Sequence, residues 1–378
     1  MQLSDAIGWI LEALALAGSG YALAAASLAK RLAGGQPAAG AQPSVTVLKP
    51  LCGDEPQLAA NLESFLRQDY GGPVQMICGV QDPSDPALEA ARAAQLSAPG
   101  AQLDLIVDDQ LHGGNGKVSN LINMMRAARN ELIVLSDSDI AVRPDYLARI
   151  AAALAEPGVG AATCYYYGRG LAGPWSRLSA MGITYGFLPN VLVGVALQAA
   201  HPSMGSTIAM RRQVLDEIGG FDAFADVLAD DYEIGRAVRA KGYRVALPPF
   251  AVAHGCADAS FRELFSHELR WAVTIRIIDP AGHAGSFVTH ALALALIGAA
   301  LQGFGYASLA VLGVALGSRL TLKWSFDHAV GHISGPWSLM PVRDLVSFGV
   351  YVASFFARAV YWRGARFGVS SGRTFFPA

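Results

Sequence analysis

Charged residues are scarce in this sequence: only 15% of its 378 residues are charged, and 53% are hydrophobic. That balance is too apolar for an ordinary soluble enzyme and too polar for a protein built only of membrane helices. The length fits one globular domain together with a few apolar helices. The formal net charge is −2, and the sequence has neither a basic stripe nor zinc-finger spacing. We therefore expect no nucleic acid partner.

Cysteine is also rare, and no internal repeat is visible. The four cysteines, none of them in a CxxC pair, are Cys52, Cys78, Cys164 and Cys256. This spacing favours free thiols in a reducing cytoplasm over a disulfide framework or a thiolate metal site.

Long apolar segments lie near both ends of the chain. Residues 7–29 are long enough to cross a membrane, and Glu12 is the only charged residue within them. Lys30 and Arg31 follow directly, which places that end of the segment in the cytoplasm. A cleaved signal peptide carries its positive charge before the apolar run, so the order here favours a retained anchor.

Two further apolar stretches follow the middle of the sequence. Residues 285–320 favour a hairpin of two helices, and residues 344–362 form a last apolar segment. Basic residues lie both between and after these two stretches, so the positive-inside rule does not decide in which direction they cross the membrane. Residues 176–197 leave two interpretations open, a buried helix pair or a surface on the bilayer interface.

Between these ends, predicted strands alternate with predicted helices, which favours a parallel sheet with helices on both faces. The predicted strands are 44–48, 74–80, 103–107 and 131–135. In such α/β folds ligands bind beyond the carboxyl ends of the strands. The predicted segments are a transmembrane anchor (1–31), a Gly- and Pro-rich linker (32–43), a cytoplasmic α/β domain (44–284), C-terminal transmembrane helices (285–363) and a tail (364–378).

Asp137 and Asp139 follow the fourth predicted strand directly. Mg²⁺ and Mn²⁺ are commonly held by one or two carboxylates together with substrate phosphates. Such an ion neutralises charge that develops on a leaving diphosphate. A DxD motif alone also describes a solvated turn, but its position after a strand of an α/β domain favours a metal site.

Asp85 follows the second predicted strand and suits a uracil or ribose, as acidic residues do in other nucleotide-binding folds. Because it precedes Pro86, Asp85 also suits the start of a helix, and the two roles are compatible. Asp82 is a nearby alternative substrate-binding residue.

Lys117 closes a glycine-rich stretch that resembles a phosphate loop. The stretch is not a Walker A motif, because Leu111 and Val118 stand where Gly and Ser or Thr are needed. Lys117 at a helix start suits contact with a nucleotide or diphosphate, and a simple turn is the alternative.

Asp230 and Asp231 are adjacent carboxylates at the start of a helical pattern. Adjacent carboxylates repel, so one of them should have a raised pKa. A raised pKa suits a general base, and we assign that role to Asp231, with Asp230 beside it in the substrate site. Stabilisation of a helix N-terminus by acidic residues is the alternative.

The segment His267-Glu268-Leu269-Arg270-Trp271 lies in a helical pattern, where His267, Arg270 and Trp271 share one face. It is not the zinc motif HExxH, because Trp271 replaces the second histidine. Arginine suits a diphosphate, and tryptophan suits stacking or a lid. A membrane-interface Arg-Trp pair is the alternative.

Taken in order, these motifs resemble glycosyltransferase family 21, the ceramide glucosyltransferase-like family. Its pattern is three separated Asp motifs followed by (Q/R)xxRW. The residues that match, in addition to the segments 47–51 and 61–65, are Asp85, Asp137, Asp231, Arg270 and Trp271. The His-Glu-Leu-Arg-Trp version is most similar to a bacterial branch associated with hopanoid biosynthesis. His267 departs from the usual Gln or Arg of the family.

The resemblance implies a GT-A fold, which is a Rossmann-like mixed α/β sheet with helices on both faces, together with flanking transmembrane helices. It places the protein at the bacterial inner membrane, with the catalytic domain facing the cytoplasm. It also implies a UDP-sugar donor, carrying GlcNAc or glucose, and an inverting single displacement. Asp231 would deprotonate a lipid hydroxyl, while the metal, Lys117 and Arg270 would receive the UDP. A hopanoid polyol is the expected acceptor, with ceramide as the alternative. A processive polysaccharide synthase and an inactive membrane scaffold also stay open.

Overall fold

The computed structural model describes residues 3–35, 40–357, 359–362 and 365–368. Its α-helices are α1 (Leu3–Leu28), α2 (Leu58–Leu66), α3 (Ala87–Ser97), α4 (Gly116–Met125), α5 (Tyr146–Leu154), α6 (Pro174–Gly182), α7 (Leu188–Ala196), α8 (Arg212–Glu217), α9 (Asp230–Ala240), α10 (Phe261–Ile278), α11 (Pro280–Gly285), α12 (Ala291–Leu301), α13 (Tyr306–Val330) and α14 (Met340–Phe356). Its strands are β1 (Val45–Pro50), β2 (Val74–Val80), β3 (Gln102–Val107), β4 (Leu132–Leu135), β5 (Ile140–Ala141), β6 (Val159–Thr163), β7 (Tyr165–Gly170), β8 (Ile208–Arg211), β9 (Arg244–Ala246), β10 (Ala251–Cys256), β11 (Ala359–Trp362) and β12 (Ala365–Gly368).

The described residues form two compact units. The globular unit contains residues 34–167 and 201–257, and the helical unit contains residues 3–33, 168–200 and 258–368. The predicted domain bounds stay a prediction, and residues 36–39 of the predicted linker and most of the predicted tail lie outside the described residues.

The main sheet of the globular unit has seven strands in the order β3-β2-β1-β4-β8-β6-β9. Strands β1 to β4 are parallel to one another, whereas β8 runs antiparallel to both β4 and β6. Strands β5, β10 and β7 form a second, smaller sheet. The mixed α/β sheet that the family resemblance implies is confirmed. The wholly parallel sheet expected from the alternation of strands and helices is wrong, because β8 runs against its two neighbours.

Helices cover both faces of this sheet, because successive strand side chains point to opposite sides. Val47 packs on one face with Phe65 of α2 and Tyr146 of α5. Its neighbour Leu48 packs on the other face with Leu121 of α4. Strand β1 is buried along its whole length, which is typical of parallel strands between two helical layers. The carboxyl ends of β1 and β4 therefore open at one edge of a rigid core.

In the helical unit, α1 packs against α12 and α13 through small residues, which let helix backbones approach closely in an apolar environment. Gly18 shows the need for them, because a Cβ there would lie 2.1 Å from the carbonyl oxygen of Val288. Among the described residues, three helical segments are long and apolar enough to cross a membrane: Leu3–Ala33, Pro174–Ala196 and Trp337–Phe356. The pair Pro280–Thr289 and Ala291–Leu301, bent by 61°, would make a fourth if it forms one span.

The C-terminal helices differ from the prediction in their bounds. The expected hairpin consists of α12 and α13, and α13 continues to Val330. The last apolar segment is a helix only as far as Phe356, and β11 and β12 then pair antiparallel. Residues 174–196 are helical throughout, with a π-turn at Ile183–Phe187, so this segment has the length of a span.

Two cations of α13, Lys323 and Arg319, are each paired with a carboxylate, as the energetics of charge in an apolar environment require. Lys323 is fully buried, and its Nζ lies 2.5 Å from Asp327. Arg319 lies 2.8 Å from Asp344. Glu12 of α1 is buried as well, and among the described residues neither of its carboxylate oxygens has a hydrogen-bond partner.

The four cysteines are all free thiols, as predicted.

Candidate active site

The end of β4 places the DxD motif over a buried lysine. Lys49, at the end of β1, is 0% exposed, and its Nζ donates to the backbone carbonyl of Asp137 at 2.6 Å. The same ammonium lies 3.9 Å from the ring centre of Phe65. Burial lowers the pKa of Lys49 to about 8, although Asp139 and Asp137 act in the opposite direction. Lys49 thus holds the backbone that carries both aspartates.

Lys117 lies among the carboxylates that the sequence predicted separately. Asn115 caps α4 by accepting hydrogen bonds from the backbone N–H groups of Lys117 and Val118. The Nζ of Lys117 lies 2.7 Å from Asp137 Oδ1 and 3.4 Å from Asp230 Oδ2. Burial lowers the pKa of Lys117, but the neighbouring carboxylates raise it by more, so it remains an ammonium.

Asp231 is the second residue of α9, directly after Asp230, and its two oxygens face backbone donors. Oδ2 accepts from Gly205 N at 3.0 Å, and Oδ1 accepts from Tyr232 N at 2.8 Å. Burial, followed by repulsion from Asp230, raises the pKa of Asp231 to about 6, while Lys117 opposes the rise. The predicted repulsion is present, but burial is the larger cause. A carboxylate with a pKa near 6 suits proton abstraction near neutral pH.

Gly205 connects the two acidic motifs, and sequence reasoning missed it. Its N–H donates to Asp231, and its carbonyl accepts from Asp137 N at 3.2 Å. A Cβ at this position would lie 2.6 Å from Asp137 Oδ2. Only glycine leaves room for the carboxylate, and nothing in the local sequence distinguishes it from a turn glycine.

Sequence reasoning also missed His254 and Tyr166, which lie on neighbouring strands of the smaller sheet. His254 Nε2 lies 3.2 Å from Asp139 Oδ2, and its ring stacks on Tyr166 with 5.4 Å between centroids. Burial raises the pKa of Tyr166, and Asp231, Asp139 and Asp137 raise it further. The phenol therefore stays protonated and can donate a hydrogen bond. Strand pairing alone brings these rings to the acidic motifs.

The cluster carries an excess of negative charge that a divalent cation would balance. Four aspartates at positions 137, 139, 230 and 231 accompany two ammonium groups, those of Lys117 and Lys49. Asp139 Oδ1 is buried and accepts no hydrogen bond. Among the described residues, no group of three or more His, Cys, Asp or Glu side chains is arranged to hold a metal ion by itself. The donors therefore fit an ion completed by substrate phosphates, which is the usual way in which Mg²⁺ is bound.

The first Asp motif makes local contacts of its own. Asp85 accepts hydrogen bonds from Gly53 N at 3.0 Å and from Ala87 N at 2.8 Å. It therefore serves the start of α3, as one predicted alternative requires, and also holds the loop after β1. Asp82 accepts from Ser84 N and Oγ, and these bonds lower its pKa. The nucleotide-binding role of both residues stays a prediction.

The basic-aromatic motif belongs to the helical unit, on α10. His267 and Trp271 lie on one face, as predicted, with 4.3 Å between their ring centroids. Glu268 forms a two-point ion pair with Arg343 of α14, with both N···O distances at 2.6 Å. This buried pair ties the motif helix to α14, next to the segment that carries Arg270.

Comparison with known proteins gives this arrangement a context. The family profile "Glycosyl transferase family 21" matches residues 10–375. Ceramide glucosyltransferase 1 of Caenorhabditis elegans is 25% identical over 347 residues, which cover 87% of this chain and 72% of the relative. An N-acetylglucosaminyltransferase of Bradyrhizobium diazoefficiens is 25% identical over 238 residues, which cover 61% of this chain and 48% of the relative. The chain therefore spans about half the length of the latter protein.

Among solved structures, the mannosyltransferase PcManGT from Pyrobaculum calidifontis, in complex with GDP-Man and Mn²⁺, has a TM-score of 0.54. It is 23% identical, and the match covers 93% of this chain and 99% of PcManGT. This likeness concerns the fold, and it confirms the predicted GT-A type.

Proposed function

Because the chain belongs to glycosyl transferase family 21, we propose that this glycosyltransferase moves one sugar from a UDP-sugar to a lipid hydroxyl at the bacterial inner membrane. The observation that carries the proposal is the carboxylate cluster around Lys117, at the edge of the sheet where parallel strands end. That edge is where α/β folds bind nucleotides. The helices of membrane-spanning length support an acceptor drawn from the bilayer.

The reaction is a single displacement with inversion. Asp231 takes the proton of the acceptor hydroxyl as its oxygen forms a bond to the anomeric carbon of the sugar. The bond from that carbon to the diphosphate breaks on the opposite side, and UDP leaves with the electron pair. Asp231 suits this role because its pKa of about 6 leaves it ionised at neutral pH yet basic enough to accept a proton.

Positive charge serves the leaving diphosphate. Lys117 is held at the start of α4 by a capped loop, so it is positioned before the donor arrives. A Mg²⁺ or Mn²⁺ ion held by Asp137 and Asp139 would neutralise charge on the diphosphate. By the family resemblance, Arg270 would also receive the diphosphate, and Trp271 would stack on the donor or form a lid, with His267 beside them. Asp85, Asp82 and Asp230 are the proposed contacts of the remaining donor groups.

The acceptor is proposed to be a hopanoid polyol, on the strength of the His-Glu-Leu-Arg-Trp segment. Ceramide is the second candidate, because two relatives from Caenorhabditis elegans that are 25% and 27% identical are ceramide glucosyltransferases. GlcNAc and glucose are the two proposed donor sugars, since the relatives include an N-acetylglucosaminyltransferase and glucosyltransferases.

The test is a membrane-fraction assay with UDP-GlcNAc or UDP-glucose and either lipid, read by product mass. Asp231→Asn serves as the inactive control, and Asp216→Asn, an exposed aspartate of α8, serves as the matched active control. A hopanoid that carries one hexosamine or hexose supports the leading proposal. If the product is glucosylated ceramide, the proposed acceptor is wrong but the proposed mechanism stands. If the product is a polymer, the proposal of a single sugar transfer is overturned. No product with any pair, despite UDP binding, would overturn both acceptors.

A further inference from the structure

A buried carboxylate faces the first residue of the basic-aromatic motif. Asp258 lies just before α10 and is 9% exposed. Its Oδ1 lies 3.5 Å from His267 Nδ1. Its Oδ2 accepts a hydrogen bond of 2.6 Å from Ser179 Oγ of α6. All three residues belong to the helical unit.

Asp258 is not needed to cap the helix that follows it. Ser260 is the N-cap of α10 and accepts from Glu263 N at 3.2 Å. Glu263 in turn accepts hydrogen bonds from Ser260 Oγ at 3.1 Å and from Ala259 N at 2.9 Å, so the helix start is capped in a way similar to a capping box. The carboxylate of Asp258 points instead to α6 and to the imidazole.

A carboxylate on one ring nitrogen determines which nitrogen the ring presents elsewhere. With Asp258 at Nδ1, the Nδ1 proton is retained in both the neutral and the charged ring. Nε2 is then the atom left for a ligand. Trp271 contacts the same ring at 4.3 Å between centroids, so the imidazole is held between a carboxylate and an indole.

We propose that Asp258 is a positioning residue of the transfer reaction: its carboxylate, anchored by Ser179, orients His267 against Trp271 so that Nε2 contacts the diphosphate of the donor. This inference rests on the proposed function, because it assigns the diphosphate to the motif of α10.

The test is a double-mutant cycle with Asp258→Asn and His267→Gln, read as kcat and KM for the UDP-sugar. Asp258→Asn keeps the shape but removes the charge, and we expect a fall in turnover of about 10- to 100-fold. In the His267→Gln background the same change should alter turnover by less than about twofold, because glutamine needs no carboxylate to orient a ring. Ser179→Ala should have a smaller effect of the same kind.

Glu263→Gln is the matched control, because it removes a carboxylate from the same helix start without touching His267. It should leave turnover within about twofold of the unaltered enzyme. Melting temperatures of all variants show whether each one folds. Equal losses from Asp258→Asn in both backgrounds, or no loss in either, would overturn the inference, since Asp258 would then act through the fold or not at all.

UDP affinity, measured by calorimetry on the same purified full-length variants, separates this inference from the proposed function. If the unaltered protein transfers no sugar to a lipid, the proposed function fails, and the cycle is read from UDP binding alone. Coupling between the two substitutions in UDP affinity supports the contact of His267 with the diphosphate. Additive effects on affinity overturn it.

Discussion

Replacing Asp231 with asparagine should inactivate the protein and stabilise it at the same time. The carboxylate is held in a place where burial and Asp230 both disfavour its charge. Its pKa is therefore raised from 3.8 to about 6. This difference corresponds to about 3 kcal/mol, at about 1.36 kcal/mol for each pKa unit.

The direction in which folding stability changes with pH follows from proton binding by Asp231. Because the folded pKa lies above the unfolded one, the folded state binds the proton more tightly. The stability that this tighter proton binding gives the folded state is fully present below the unfolded pKa. It is lost as pH rises through about 6. At pH 7.5 the unaltered protein has lost it, whereas the neutral amide in Asp231→Asn has no charge to bury. At pH 4 a protonated carboxyl and an amide are nearly equivalent.

The two hydrogen bonds that Asp231 accepts from Gly205 and Tyr232 limit the gain. An amide has one accepting oxygen, so one of these bonds weakens, at a penalty of about 1 kcal/mol at either pH. Comparing the two pH values removes this constant term. The difference between pH 7.5 and pH 4 should therefore be about 2–3 kcal/mol in favour of Asp231→Asn, or roughly 2–4 °C in melting temperature for a chain of 378 residues.

The assay is thermal unfolding in detergent with EDTA at both pH values, with Asp216→Asn as an exposed control that should change little. Turnover of Asp231→Asn should fall by about 100-fold or more, as expected for loss of a general base. Equal melting temperatures of Asp231→Asn and the unaltered protein at pH 7.5, or the same gain at pH 4, would refute the argument that this carboxylate is buried at an energetic penalty. Retained turnover would refute its role as the base.

Three further predictions concern the charges around the site. Asp139→Ala should weaken Mn²⁺ binding in the presence of UDP by about tenfold or more, because the buried Oδ1 of Asp139 is free to coordinate the ion. An unchanged Mn²⁺ affinity, measured by calorimetry, would show that Asp139 is not a metal ligand. Lys117→Met should weaken UDP binding by about 10- to 100-fold, since a buried ammonium no longer offsets the carboxylates; UDP titration in which the variant binds as tightly as the unaltered protein would contradict this. Glu268→Gln should destabilise the helical unit by about 3–5 kcal/mol, because it leaves the buried charge of Arg343 without its carboxylate partner. A melting temperature within 1–2 °C of that of the unaltered protein would show that the ion pair contributes little to stability.

Local patterns were sufficient to predict the elements that position the site. The predicted strands 74–80 and 131–135 became β2 and β4 with bounds close to those predicted, because parallel strands buried on both faces need continuous apolar sequence. The DxD motif at the end of β4 was predictable for the same reason. Helix-start residues also carried a readable signal, since Lys117 and Asp231 both lie in the first turn of a helix.

The distances between these motifs were not predictable from the sequence. Lys117 and Asp137 are 20 positions apart in the chain, and only the parallel packing of the sheet edge brings their charged atoms to 2.7 Å. The pairing of β10 with β5 brings His254 to Asp139 in the same way. Long-range pairing of this kind depends on register and on crossover connections, which periodicity does not encode.

By itself the sequence determined the residue types of the site, their positions at element ends, and the presence of apolar helices, because these follow from local periodicity and from the chemistry of each side chain. Only the tertiary structure decided which charges are buried together. Gly205 is required because two acidic motifs converge on its backbone, and Asp258 faces His267 because α6 packs beside α10. Burial and proximity arise from packing between distant segments, and they raise the pKa of Asp231 to a value suited to proton transfer.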